Sequence, residues 1–168
     1  MPAADVGINI LEVARMERVL KRRPSFVRRV FTDDERLFCE SAARPAEHYA
    51  ARFAARGAVV RALGLGPGDG VGRHDVAVGV SDAGRPVAVL SGRVAEAAAA
   101  RGVAEIALSL SFTHEVATAM ALLVTDEVRP KPKEERDPER ELLSSFKRAR
   151  SVLDELDHLQ GDVASTLE

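Results

Sequence analysis

Glu47 to Gly64 constrains the folding of this chain more than any other stretch. It reads Glu-His-Tyr-Ala-Ala-Arg-Phe-Ala-Ala-Arg-Gly-Ala-Val-Val-Arg-Ala-Leu-Gly. Ala is the best helix former and Arg is close behind. Tyr49, Phe53, Val60 and Leu63 recur at roughly helical spacing and make an apolar stripe. One long helix is therefore expected, ending at Gly64 and followed by a loop carrying Gly66, Gly68, Gly70 and Gly72. Arg52, Arg56 and Arg61 are expected to hold three guanidiniums near each other. Gly57 is out of character, because mid-helix Gly costs about 1 kcal/mol relative to Ala.

The rest of the chain is organised around that helix. With 168 residues the length suits one domain and a short appendage. Aromatics are 4% with no Trp, so the core must be built from Ala, Val and Leu. Cys39 is the sole cysteine, which excludes a disulfide framework or a cysteine-based zinc site within one chain. A leader pattern and a run of about 18 apolar residues are both lacking, so a soluble cytoplasmic protein without membrane contact is expected.

Val6 to Val13 reads as a first strand. A helical pattern follows, with Arg15, Arg18 and Arg22 on one stripe, until Pro24 breaks it. Ser25 to Val30 is a short helix, and Thr32-Asp33-Asp34-Glu35 forms a capping box that opens another through Cys39. Beyond the glycine loop, Asp75 to Ser81 and Pro86 to Leu90 read as a hairpin about Asp82-Ala83-Gly84-Arg85. Gly92 to Arg101 is an Ala-rich helix, and Ile106 to Thr113 and Val116 to Thr125 are two more strands. This order implies an α+β fold over residues 1–126. Residues 127–137 are a charged linker, and 138–168 are an amphipathic helix and tail with Leu142, Phe146, Ala149, Leu153 and Leu156 as its seam.

Two basic constellations stand out. Arg15, Arg18, Lys21, Arg22, Arg23, Arg28 and Arg29 face only Glu17 in their span. They form either a solvated helix face or a dock for an acidic partner. Nucleic acid is disfavoured, since the net charge is −2 and no aromatic is interleaved for stacking. Arg52, Arg56 and Arg61 beside the glycine loop suit a phosphate, or else an exposed helix face. Ser109, Ser111 and Thr113 alternate as on the wet face of a sheet.

Five collinear segments carry a resemblance. They are Gly7-Ile8-Asn9-Ile10-Leu11-Glu12-Val13, Val30-Phe31-Thr32-Asp33-Asp34-Glu35, Arg52-Phe53-Ala54-Ala55-Arg56-Gly57-Ala58, Gly84-Arg85-Pro86 and Ser109-Leu110-Ser111-Phe112-Thr113. In that order they resemble the G-x-D-I-x-E-I, V-F-T-x-x-E, R-F-A-A-K-E-A, G-K-P and S-L-S-H-T segments of the holo-acyl-carrier-protein synthase group of 4′-phosphopantetheinyl transferases. The resemblance runs from about Val6 to Val124. It implies a 4′-phosphopantetheinyl transferase fold, with an antiparallel sheet packed on a long helix, assembled as a homotrimer with active sites between subunits. It also implies movement of the phosphopantetheine arm of coenzyme A onto a serine of an acyl carrier protein, with magnesium bridging the diphosphate.

Matching residue by residue, the resemblance puts Asn9, Arg56, Gly57, Arg61 and Phe112 at catalytic positions. If the chain is an enzyme, His114 or His48 is the candidate acid or base, because an imidazole titrates near neutral pH. Arg52, Gly64, Gly66, Arg85 and Pro86 fall in coenzyme-binding segments, and Arg15, Arg18 and Arg22 dock the carrier protein. The departures concentrate at the chemistry. Asn9 stands where the family has a metal-binding Asp, Gly57 where it has Glu, Arg56 and Arg61 where it has Lys, and Phe112 where it has His. An amide and a glycine do not replace two anionic oxygens around magnesium, and Glu12 faces away from position 9 on a strand. The expectation is thus no metal, with coenzyme A or a carrier's phosphopantetheine arm as the ligand. The favoured reading is a carrier-binding homologue that has lost magnesium-dependent phosphopantetheinyl transfer and is repurposed on carrier-bound acyl or polyketide chains. The alternatives are an active synthase with a rebuilt metal site and a regulatory subunit that joins an active synthase.

Overall fold

The computed structural model describes residues 5–127 and Phe146. The chain divides into two units, Met1–Arg129 and Pro130–Glu168. Apart from Glu127 and the helical, exposed Phe146, the expected linker and C-terminal helix lie outside the described residues.

In the first unit, strand β1 (Val6–Glu12) leads into helices α1 (Val13–Arg22), α2 (Pro24–Val30), α3 (Asp33–Glu40) and α4 (Pro45–Ala62). Strands β2 (Val76–Val80) and β3 (Pro86–Leu90) form a hairpin. Helix α5 (Gly92–Ala100) and strands β4 (Val103–Phe112) and β5 (Val116–Thr125) complete the order. The sheet is antiparallel in the order β1-β5-β4, and the hairpin is a separate two-stranded sheet. The capping box at Thr32 is present, with Glu35 accepting from the Thr32 N–H at 3.0 Å. Gly64 takes φ +69° and closes α4: its N–H donates to Arg61 O and that of Leu65 to Val60 O, the paired bonds of a Schellman motif.

Small residues set how α4 meets the sheet. The inward side of β5 is Ala117, Ala119, Ala121 and Leu123, all buried, and α4 presents Ala54, Ala55, Ala58 and Ala62. Gly7, paired with Ala121, lies directly under the helix. A Cβ there would stand 1.9 Å from the Ala58 carbonyl oxygen and 2.5 Å from the Ala62 nitrogen. These are backbone atoms that cannot swing aside, so Gly7 sets the helix-to-sheet distance.

The outward sheet face is less usual. Val6, Ile8 and Ile10 on β1 and Met120 on β5 are 45–63% exposed. Ser109 and Ser111 of β4 do face outward and are exposed, as their alternation predicts, but Ser109 is paired with Met120 at the edge of this apolar stripe. Among the described residues no helix is long and apolar enough to cross a membrane.

Candidate functional site

The alternation of β1 turns Gly7, Asn9 and Leu11 toward α4 and leaves Glu12 exposed with Val6, Ile8 and Ile10. Asn9 therefore meets Gly57. A Cβ at position 57 would stand 2.1 Å from Asn9 Nδ2, so the amide fills the space that the missing side chain leaves. One turn along α4, Arg61 Nη1 donates to Asn9 Oδ1 at 2.6 Å and to Ile8 O at 2.8 Å. Asn9 Oδ1 also accepts from the Ile10 N–H at 3.1 Å.

Arg61 stands where two clefts meet. One, of about 430 Å³, is lined by Asn9, Arg15, Val19, Phe26, Phe53 and Arg61 among others. The other, of about 560 Å³, runs along the glycine loop past Gly57, Arg61, Gly66, Gly68 and Gly70. A third cleft, of about 370 Å³ on α1, is lined by Arg15, Arg18, Arg22 and Arg23 with Val19 and Phe26. It shares Arg15, Val19 and Phe26 with the Asn9 cleft, so the basic groove and the Arg61 site are continuous. Arg15, Arg18 and Arg22, expected to form one docking stripe, are all exposed on α1 and line this one cleft.

The other two arginines of α4 do not accompany Arg61. Arg56 is buried, donates to Glu35 Oε2 at 2.6 Å and to the carbonyls of Val30 and Arg73, and lies over the Phe31 ring. Burial pulls its guanidinium below the ordinary pKa, opposed by Glu35. Glu35 in turn accepts from the Val78 N–H at 2.9 Å, which ties α3, α4 and β2 together. Arg52 is also buried, with its guanidinium 4.0 Å from the Phe38 ring centroid. The expected trio of neighbouring guanidiniums is thus replaced by one exposed arginine and two set into the core. Residues on one helix point in different directions every 100° or so.

Phe112 and His114 also lie away from Asn9. Phe112 packs its ring 4.9 Å from that of His48, which lies 5.7 Å from Phe38. Burial there, helped by Arg52, pushes the His48 imidazole below its ordinary pKa. His114 Nδ1 is 2.7 Å from Glu47 Oε1 and 2.6 Å from Arg44 Nη1. That hydrogen bond holds the Glu47 carboxyl below the usual carboxylate range. The space beside Gly57 is therefore faced by Asn9 and Arg61, and not by Phe112. Gly64 and Gly66 direct their N–H groups to Arg61 O and Asp69 Oδ2, the latter at 2.7 Å. Arg85 and Pro86 sit at the tip of the β2–β3 hairpin, where the Arg85 N–H donates to Ser81 Oγ at 3.2 Å.

Four participants had no sequence signal as site residues: Phe26 and Phe53 in the cleft wall, and Arg44 and Glu47 beside His114. Each owes its place to contacts between separate elements.

Residues 5–120 match the model of the 4′-phosphopantetheinyl transferase superfamily. The chain belongs to this superfamily. Two relatives place it in the holo-acyl-carrier-protein synthase branch. The holo-[acyl-carrier-protein] synthase of Moorella thermoacetica is 42% identical over 119 residues, covering 71% of this chain and 92% of that one. That of Caldanaerobacter subterraneus is 37% identical over 122 residues, covering 73% and 95%. The crystal structure of a holo-(acyl-carrier-protein) synthase from Bacillus anthracis in complex with CoA (3′,5′-ADP) aligns with TM-score 0.60 at 30% identity, covering 74% of this chain and all of that one.

The family's magnesium can be tested against the residues present. Asn9 offers one neutral oxygen, already accepting from a guanidinium, and position 57 offers none. A hard divalent ion takes oxygen ligands, carboxylates foremost, and the Arg61 charge within hydrogen-bond reach opposes it. Among the described residues no group of three His, Cys, Asp or Glu could hold a metal. This donor set does not fit a magnesium ion.

Proposed function

We propose that this chain is a carrier-protein-dependent phosphopantetheinyl transferase: it binds coenzyme A and an acyl carrier protein and moves the phosphopantetheine arm between them. The relatives' names support the reaction class. The observation that carries the reading is the continuity of the basic α1 groove with the Asn9–Arg61 cleft through Arg15, Val19 and Phe26. An acidic carrier helix lying on Arg15, Arg18 and Arg22 would bring its serine to the end of that groove, beside Arg61. His48 and His114 lie outside this cleft lining, so the proton acceptor is to be sought on a neighbouring subunit or on the substrate.

The exposed apolar face of β1 and β5 supports self-association, and we read the assembly as a homotrimer in the cytoplasm. Such a stripe on a free monomer is an unfavourable surface. Sedimentation of the full chain tests this: a trimer is expected, and a monomer at micromolar concentration excludes it.

The transfer itself is tested by mass spectrometry of an apo acyl carrier protein incubated with coenzyme A and the protein. Conversion to the holo form is expected. The Asn9–Gly57–Arg61 arrangement favours a second reading, in which docking on carrier-bound acyl or polyketide chains persists and transfer is lost. Carrier binding without conversion selects that second reading, and loss of both overturns the family function for this chain.

A further inference from the structure

We infer that Arg61, braced by Asn9, is a fixed cation in place of a divalent metal, so that this site holds a diphosphate without magnesium. The inference rests on the coenzyme A reading for the identity of the ligand, and on the geometry alone for the site.

Among the described residues Arg61 is anchored at one nitrogen only. Both hydrogens of Nη1 are taken by Ile8 O and Asn9 Oδ1. The remaining donors, on Nη2 and Nε, make no hydrogen bond among the described residues, where the partners of the side chain are Ile8 O and Asn9 Oδ1 and no carboxylate. Arg61 is exposed, and among the described residues no Asp or Glu lines either cleft that it borders. A guanidinium pinned by its back edge presents a rigid fork, the geometry that binds phosphate oxygens in pairs. Arg15 lines the same cleft and adds a second positive charge facing the same space.

Asn9 has a definite part in this arrangement. As an amide it accepts the Arg61 hydrogen bond without cancelling its charge. A carboxylate at position 9 would form an ion pair and neutralise the cation unless a metal were also present. Gly57 has the complementary part: any side chain there would displace the Asn9 amide, whose Nδ2 lies 2.1 Å from where its Cβ would be. The two departures from the family pattern are thus one device. Removing both acids leaves Arg61 uncancelled, and Gly57 makes room for the amide that orients it.

Isothermal titration of the full chain with coenzyme A, in EDTA and again in millimolar magnesium, tests the inference. The affinity in EDTA is expected within about threefold of that in magnesium, while Arg61→Gln weakens binding about tenfold and Arg61→Lys less. Asn9→Asp is the more telling variant. It keeps the Arg61 contact and the fold, so its melting temperature should hold or rise, yet binding in EDTA should fall about tenfold. A role of Asn9 in stability alone would leave binding unchanged. Affinity tenfold or more tighter with magnesium, or wild-type binding in both Arg61→Gln and Asn9→Asp, overturns the inference. Inorganic diphosphate is titrated in parallel in EDTA. If coenzyme A fails to bind but diphosphate binds in an Arg61-dependent way, the fixed-cation site stands and the coenzyme A reading falls. If neither binds, both fall.

Discussion

At the scale of single residues, Gly57 shows how one position is explained only by its neighbour. Gly in a helix interior costs about 1 kcal/mol against Ala, and the amide of Asn9 occupies the space where a Cβ would go. Gly57→Ala should therefore show none of the usual gain, because Asn9 must rotate and release Arg61 and the Ile10 N–H. In an Asn9→Ala background the same change should stabilise by about 1 kcal/mol. Urea unfolding of the four proteins in this cycle measures the coupling, and equal effects in both backgrounds would remove the contact from the account.

His48 supports a pH prediction with a definite sign. Its folded pKa lies below the ordinary 6.5, since burial against Phe38 and Phe112 disfavours the charged ring and Arg52 repels it. Below pH 6.5 the unfolded chain takes up a proton that the folded chain refuses. Stability contributed by this group is therefore full above its unfolded pKa and is lost as pH falls toward the folded one. The drop in melting temperature from pH 7 to pH 5 should be smaller in His48→Gln than in the wild type, and an identical drop would refute the assignment.

Elements meet here through small residues and one buried ion pair. Gly7→Ala puts a methyl against the backbone of α4 at Ala58 and Ala62, which neither rotamer change nor loop movement relieves. The helix must lift from the sheet, and a loss of about 3 kcal/mol is expected by denaturant titration. Local signals were legible at this scale. The capping box at Thr32 and the stop at Gly64 depend on residues within one turn of each other. The Glu35–Arg56 pair was not legible, because its partners lie 21 positions apart and meet only when α3 packs beside α4. An arginine in an amphipathic sequence reads as surface until its partner is seen. This is why Arg52 and Arg56 were expected in the phosphate cluster and stand in the core instead.

For the whole molecule, three clefts run from the α1 arginines through Asn9 and Arg61 to the glycine loop. Charge at the first of them should govern carrier recognition. Arg15→Glu with Arg22→Glu is expected to weaken carrier-protein binding at least about tenfold and to remove most of its salt dependence. Both side chains are exposed, so the melting temperature should change little. Retained affinity measured by titration would move the docking surface elsewhere.

Sequence alone determined the order of elements, the helix stops and the family, because these follow from local propensity, turn chemistry and collinear motifs. It also marked positions 9 and 57 as changed. Only the tertiary structure decided what the change made. The direction of each α4 arginine, the meeting of Asn9 with Gly57 and the joining of the basic groove to Arg61 all depend on how β1 lies under α4. That placement is set by Gly7 and a layer of alanines, whose small size carries no message until the surfaces they bring together are known.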